Sequence, residues 1–272
     1  MHLIDSHCHL DSDQFAPDRD AVVAAAQAQG VTQILVPAVR ASNFEAVRQC
    51  AVRYPACVPA YGIHPFYAAE ADHTSLEGLR SWLKKELSGA YPPRALGEIG
   101  LDFFILKKEA VGQRTRQLQL NAFVEQLKIA RDFQLPVLLH GRSAQEEILQ
   151  QLRSIFAKNT SPGGIAHAFN GSEQQANAFI KLGFKLGFGG TLSSAKALHI
   201  RALAVRLPLE SIVLETDAPD MTPVFAVHKR NTPENLPRIA AELATLRGIS
   251  LAEVAAATSH NLRSVLKLCS SL

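Results

Sequence analysis

His7 and His9 stand two residues apart just after the apolar start Leu3-Ile4. Residues two apart in an extended segment point to one side, so both imidazoles aim at a common point beyond a strand end. Two converging neutral imidazoles supply the first two ligands that a zinc-class divalent ion requires. Cys8 lies between them and points the opposite way, into packing, so it is not a candidate ligand. Further along, His64, Glu98, His140, His167 and Asp217 each fall at or just past the end of a short, strand-like run. Five of the ten histidines therefore gather at strand ends, whereas chance would scatter them over helices and loops. His7, His9, Glu98, His140, His167 and Asp217 provide six nitrogen and oxygen donors. Such a set can hold two divalent ions if one carboxylate bridges them. Paired ions activate a water and stabilise the attacking and leaving oxygens of an ester displacement. Glu98, in Gly97-Glu98-Ile99-Gly100, is the best bridge, because the glycines let backbone approach a crowded site. Asp217, in Glu215-Thr216-Asp217-Ala218-Pro219, is placed to bind one ion and accept a proton from water. Asp102 is expected to cap a turn, and His2, His73, His199, His228 and His260 fall outside the pattern.

The elements that must position these residues alternate regularly. Strands are expected at Leu3-Asp5, Thr32-Pro37, Val58-Gly62, Ala95-Glu98, Pro136-His140, Gly164-His167, Lys185-Gly189 and Ser211-Glu215. Amphipathic stretches separate them, at Asp18-Gln29, Asn43-Arg53, Ser75-Leu87, Arg114-Phe133, Ala144-Phe156, Glu173-Leu182 and Ala197-Leu207. In the fourth, Leu120, Phe123, Val124, Leu127 and Ala130 form an apolar face at helical spacing. Leu251-Leu268 reads as a last helix packed on the rest. Eight strand–helix units predict an α/β fold of the (β/α)8 TIM-barrel type, a single domain over residues 1–272. The strand ends of such a barrel form one rim. An open doubly wound sheet is the alternative, but no Gly-x-Gly-x-x-Gly follows any strand and no phosphate-cradling lysine loop is present.

Of the 272 residues, 47% are hydrophobic and 19% charged, enough apolar material for a sizeable core. The net charge of +3 comes without a basic block, so composition alone does not argue for a polyanionic partner. Cys8, Cys50, Cys57 and Cys269 show no metal-knuckle spacing and no disulfide framework. With no signal-peptide pattern and no bilayer-spanning apolar run, the expected location is the cytoplasm, away from any membrane.

Six ordered motifs carry a family resemblance. They are Asp5-Ser6-His7-Cys8-His9-Leu10-Asp11, Gly62-Ile63-His64-Pro65, Gly97-Glu98-Ile99-Gly100-Leu101-Asp102, Leu139-His140-Gly141-Arg142, His167-Ala168-Phe169-Asn170-Gly171-Ser172 and Glu215-Thr216-Asp217-Ala218-Pro219. Together they resemble the TatD family of metal-dependent hydrolases, and the last motif with the intact His-x-His resembles its YjjV-like branch. The resemblance implies a distorted barrel and two divalent ions. It implies that His7, His9, Glu98 and Asp217 hold one ion, and Glu98, His140 and His167 the other. His64 matches a histidine that contacts the substrate phosphate, which would put it in the catalytic set with Glu98 and Asp217. Arg142 matches the family's His-x-Arg, and Arg230-Asn231 with Pro233 its Arg-Asn-x-Pro, both implied phosphate contacts. One departure is the apolar run Phe103-Phe104-Ile105-Leu106, where the family often carries an aromatic and then an arginine. Packing beneath the loop is its expected use.

The function expected is a hydrolase of phosphodiesters, a deoxyribonuclease acting on ends or single strands, with nucleic acid as substrate and no stable protein partner inferable. Zinc, manganese, magnesium or nickel would suit the His, Glu and Asp donors. An amidohydrolase-type enzyme cleaving a small ester, lactone or amide shares most of these residues. Many such enzymes carry a carbamylated lysine at the fourth strand, where this chain has Glu98. A metal-storing scaffold is disfavoured, because structural zinc sites are closed cages commonly rich in cysteine.

Overall fold

The computed structural model describes residues 2–108, 113–156, 161–226 and 230–268, so His228 and Cys269 lie outside the described residues. Eight parallel strands pair in sequence order, β1 beside β2 through to β8. They are β1 Leu3–Asp5, β2 Val31–Pro37, β3 Cys57–Tyr61, β4 Ala95–Asp102, β5 Val137–Arg142, β6 Gly164–Ala166, β7 Phe184–Phe188 and β8 Ile212–Leu214. The helices are α1 Arg19–Ala28, α2 Phe44–Arg53, α3 His73–Leu87, α4 Phe103–Lys108, α5 Gln113–Phe133, α6 Gln145–Ile155, α7 Glu173–Lys181, α8 Leu198–Arg206, α9 Leu236–Arg247 and α10 Leu251–Leu266. The sheet closes on itself just past the ends of β1 and β8. Ser6 N donates to Leu214 O at 2.9 Å, Asp217 N to His7 O at 2.8 Å and His9 N to Ala218 O at 2.8 Å. These bonds seat the His-x-His and Asp217 side by side.

Two apolar layers hold the barrel. Leu3, Ile34, Val36, Leu96, Ile99, Val137 and Leu139 belong to the layer shared with the helices, where α5 packs on β4 and brings Phe123, Leu127 and Ala130 of its predicted apolar face into the core, with Leu120 partly buried and Val124 outside it. Ile4, Leu35, Ala60, Ala95, Leu138, Ile165 and Val213 point inward and meet Leu262, Val265 and Leu266 of α10. The last helix therefore plugs the lumen, a firmer role than packing on the outside. Its start is fixed by a reciprocal cap between Ser250 and Glu253.

Three features differ from the expected elements. The β4 strand runs four residues past Glu98, so Glu98 sits mid-strand and reaches the rim through an irregularity in register between Leu96 and Ile99. Gly100 there has φ +150°, and a Cβ at that position would collide with the His140 carbonyl. A glycine is thus required where β4 presses against β5. The second difference is α4, which begins immediately at Phe103. The third is α9, which no expected stretch covers; its Pro237 fits the first helical turn, where the missing N–H has no partner to lose. Among the described residues, no helix is long and apolar enough to cross a membrane.

Candidate active site

The strand ends bring His7, His9, His64, Glu98, His140, His167 and Asp217 into one cluster, at the junction of two cavities. One, about 690 Å³, is bordered by His9, Asp11, His64, Phe66 and Asp220. The other, about 460 Å³, is bordered by Arg142, Phe169, Asn170, Phe188 and Met221. His140, His167 and Asp217 line both. His2, His73, His199 and His260 are all exposed and away from this cluster.

Three donor atoms gather around His7 Nε2, and His7 is shared by two groups, one with His9 and Glu98 and one with His167 and Asp217. His7 Nε2 lies 3.1 Å from His9 Nε2, 3.2 Å from Glu98 Oε2 and 3.6 Å from Asp217 Oδ1. His9 Nε2 lies 3.6 Å from Glu98 Oε2 and 3.8 Å from Asp217 Oδ1. A tetrahedral ion with bonds of about 2.0–2.2 Å needs ligand atoms roughly 3.3–3.6 Å apart. Two of the five edges meet that spacing, and those of 3.1, 3.2 and 3.8 Å lie just outside it. The charge balance suits an ion. Burial holds His7 well below its usual pKa, and neighbouring His167 lowers it further. Burial would raise the Glu98 carboxyl, but His7, His64 and His140 outweigh it and keep Glu98 well below the usual carboxylate range. An unprotonated His7 beside an ionised Glu98 invites a cation.

Glu98 turns its other oxygen to a second group. Oε1 lies 3.0 Å from His140 Nδ1, 3.5 Å from His64 Nε2 and 3.9 Å from His167 Nε2. His64 is therefore nearer this carboxylate than His167 is, and His64, Glu98 and His140 form a compact donor group of their own. The hydrogen bonds separate the two histidines. Phe66 N donates to His64 Nδ1 at 3.1 Å, which places the proton of neutral His64 on Nε2. Burial pushes His64 down to about 3, so the neutral form holds. Its cluster-facing nitrogen is a donor and has no lone pair to offer a metal. His167 is the reverse case, with Nδ1 3.1 Å from Glu215 Oε1, so that Nδ1–H donates and Nε2 faces the cluster with its lone pair. That is the carboxylate–histidine arrangement that orients metal-binding imidazoles. Burial lowers the His167 pKa, but the charges of Glu215 and Asp217 outweigh it and push it up to about 10. A cation must therefore displace a proton there.

The orienting carboxylates are the residues that sequence reasoning passed over. Glu215 is fully buried and also accepts from Ala168 N at 2.6 Å. Asp5 joins the two ends of the barrel, accepting from Thr216 Oγ1 at 2.5 Å, Thr216 N at 3.0 Å and His7 N at 3.2 Å. Asp102 caps α4 as expected, accepting from Phe104 N and Ile105 N at 2.9 Å. It also lies 3.1 Å from His140 Nε2, a contact that spacing did not reveal. Asp217 is held with φ +54°, a left-handed conformation that aspartate tolerates better than most residues. Burial pushes its carboxyl up to about 6 against the pull of His167 and His9.

The two expected phosphate arginines part company. Arg142 lines the smaller cavity beside His140. Arg230 lines neither cavity, and instead pairs with Asp18 at 2.7 Å and lies over the Phe15 ring at 4.4 Å.

Residues 4–267 match the family described as TatD related DNase. The chain belongs to that family. It is 38% identical over 259 residues to the Escherichia coli K12 protein described as uncharacterized metal-dependent hydrolase YjjV, covering 95% of each chain. It is 32% identical to the 3'-5' ssDNA/RNA exonuclease TatD of the same organism, covering 97% of this chain and 98% of that one. The crystal structure of Escherichia coli YjjV superposes with a TM-score of 0.89 at 35% identity, covering 98% of both chains. The TatD-family barrel expected from the motifs is the barrel observed.

Proposed function

We propose that this chain is a divalent-metal-dependent hydrolase that cleaves phosphodiester bonds of single-stranded nucleic acid, DNA foremost, entering at ends or unpaired stretches. One observation carries the reading: His9 Nε2, Glu98 Oε2 and Asp217 Oδ1 lie 3.1, 3.2 and 3.6 Å from His7 Nε2 while Glu98 turns its second oxygen to other histidines. His7, His9, Glu98 and Asp217 would hold one ion, and Glu98, His140 and His167 a second, with Glu98 shared between them. Zinc, manganese, magnesium and nickel all suit such donors. When bound, the ions would lower the pKa of a water and offset charge on the phosphoryl oxygens.

The chain's own residues supply the remaining steps. His64 Nε2–H donates to a non-bridging phosphate oxygen, and its proton stays in place because Phe66 N occupies Nδ1. Asp217 keeps Oδ1 toward the histidine pair, which leaves Oδ2 to take the proton of the attacking water. Glu215 holds the His167 ring in one tautomer. Arg142 supplies a cation at the cavity wall, while Arg230 contributes through the Asp18 contact and the loop it secures. Residues 1–272 then act as a single hydrolase domain, placed in the cytoplasm.

The test is a panel of single-stranded, duplex and 3'-recessed DNA, RNA, small esters and amides, each with manganese or magnesium and with chelator. Chelator-sensitive cleavage of single-stranded nucleic acid is expected. Cleavage confined to small esters or amides would replace this reading with that of an amidohydrolase-type enzyme.

A further inference from the structure

Two arginines lie over the rings of the two phenylalanines that follow β4. Arg116 stacks over Phe103 at 4.3 Å, and Arg142 over Phe104 at 4.0 Å. They differ in what else they meet. Arg116 is paired with Glu147 at 3.1 Å, so its charge is already answered. Arg142 has no ion pair among the described residues, although it is exposed and lines the cavity shared with His140, His167 and Asp217. Asp102 is its cross-strand neighbour and feels its charge. That carboxylate, however, is engaged by His140 and by the first turn of α4. The aromatic contact is thus the interaction that fixes the guanidinium, and its N–H groups remain open to an anion.

Phe104 is itself fixed. Its backbone N–H is held by Asp102 Oδ1, and Asp102 Oδ2 reaches His140 Nε2. One carboxylate therefore joins the backbone of the residue under Arg142 to a histidine of the cluster.

We propose that Phe104 is a positioning residue, whose ring holds the Arg142 guanidinium at the cavity wall so that it meets a phosphate oxygen of single-stranded substrate beside the cluster. This rests on the phosphodiester reading above. It gives the apolar Phe103-Phe104 run a use other than packing beneath its loop. Phe104 is only partly buried, so its replacement spares the core.

The experiment compares wild type, Phe104→Leu, Phe104→Tyr, Arg142→Gln and the Phe104→Leu/Arg142→Gln double variant, all metal-loaded. The probe is a fluorescently labelled single-stranded oligonucleotide. Anisotropy with a phosphorothioate backbone that slows cleavage gives binding, and the ordinary backbone gives the KM–kcat split. Phe104→Leu is expected to weaken binding and raise KM about two- to fivefold, the size of an exposed cation–π contact, with kcat kept. Arg142→Gln should cost about tenfold or more. Phe104→Tyr should restore wild-type binding, and the double variant should match Arg142→Gln alone. Equal losses from Phe104→Leu with and without Arg142, or a Tyr variant as weak as Leu, would overturn the inference while the phosphodiester reading stands. A folded wild type that neither binds nor cleaves the oligonucleotide overturns that reading, and this inference with it.

Discussion

At the scale of single residues, the roles of two histidines depend on which ring nitrogen carries a proton. His64 and His167 sit within 4 Å of the same carboxylate oxygen, at 3.5 and 3.9 Å, yet distance does not decide their roles. A backbone N–H on His64 Nδ1 makes its inner nitrogen a donor, and the Glu215 carboxylate on His167 Nδ1 makes its inner nitrogen an acceptor. Replacing His64 with Ala should leave metal content unchanged and lower turnover by about 10²–10³, the loss typical of one hydrogen-bond donor to a transition state. Replacing His167 with Ala should empty a metal position, and Glu215→Gln should weaken metal affinity or activity about 10–100-fold. Metal analysis alongside turnover reads all three; an emptied position in His64→Ala would reverse the assignment. The candidate donors were legible in the sequence because histidines and acids recur at the ends of the expected strands. Their orienting partners were not. Glu215 lies 48 residues from His167, and only the closed barrel makes them neighbours.

At the scale of elements, two irregular pieces set the site. β4 runs past Glu98 with a break in register, because a residue that must reach into the rim cannot also keep regular pairing. The motif glycines hinted at this, but glycine read as a strand breaker at Gly97 and Gly100 stops the expected strand at Glu98 and hides the extension through Ile99 to Asp102. α9 went unread because a proline two residues into an apolar run looks like an ending rather than a beginning. The plug by α10 is also beyond periodicity, which gives a face but not the cavity it fills. Leu262 of that face is fully buried among Ile4, Leu35, Leu138 and Val213. Leu262→Ala should destabilise the fold by about 2–5 kcal/mol, measured by urea unfolding, with activity per folded molecule retained because the plug lies at the end opposite the rim. A stability within 1 kcal/mol of wild type, on the order of a surface substitution, would contradict the plug.

At the scale of the whole molecule, a modest charge and a concave rim suit an unpaired strand that brings few phosphates to the protein. The cysteines add a check on packing. Cys8, Cys50 and Cys57 are buried. Burial pushes Cys50 up to about 11 and raises Cys8 and Cys57 further, so the thiolate fraction at pH 8 falls below that of a free thiol. In a Cys269→Ser variant, none of the three should react with an aromatic disulfide reagent at pH 8 until denaturant is added. Reaction in the native state would mean the barrel wall is looser than described. The central claim, that Glu98 joins two cation sites, has a direct measurement in the divalent metal bound per folded chain, compared between wild type and Glu98→Gln after loading with manganese or zinc. Two ions per wild-type chain, one or none in the variant, and lost cleavage of single-stranded DNA are expected. Two ions and wild-type cleavage in Glu98→Gln would contradict it.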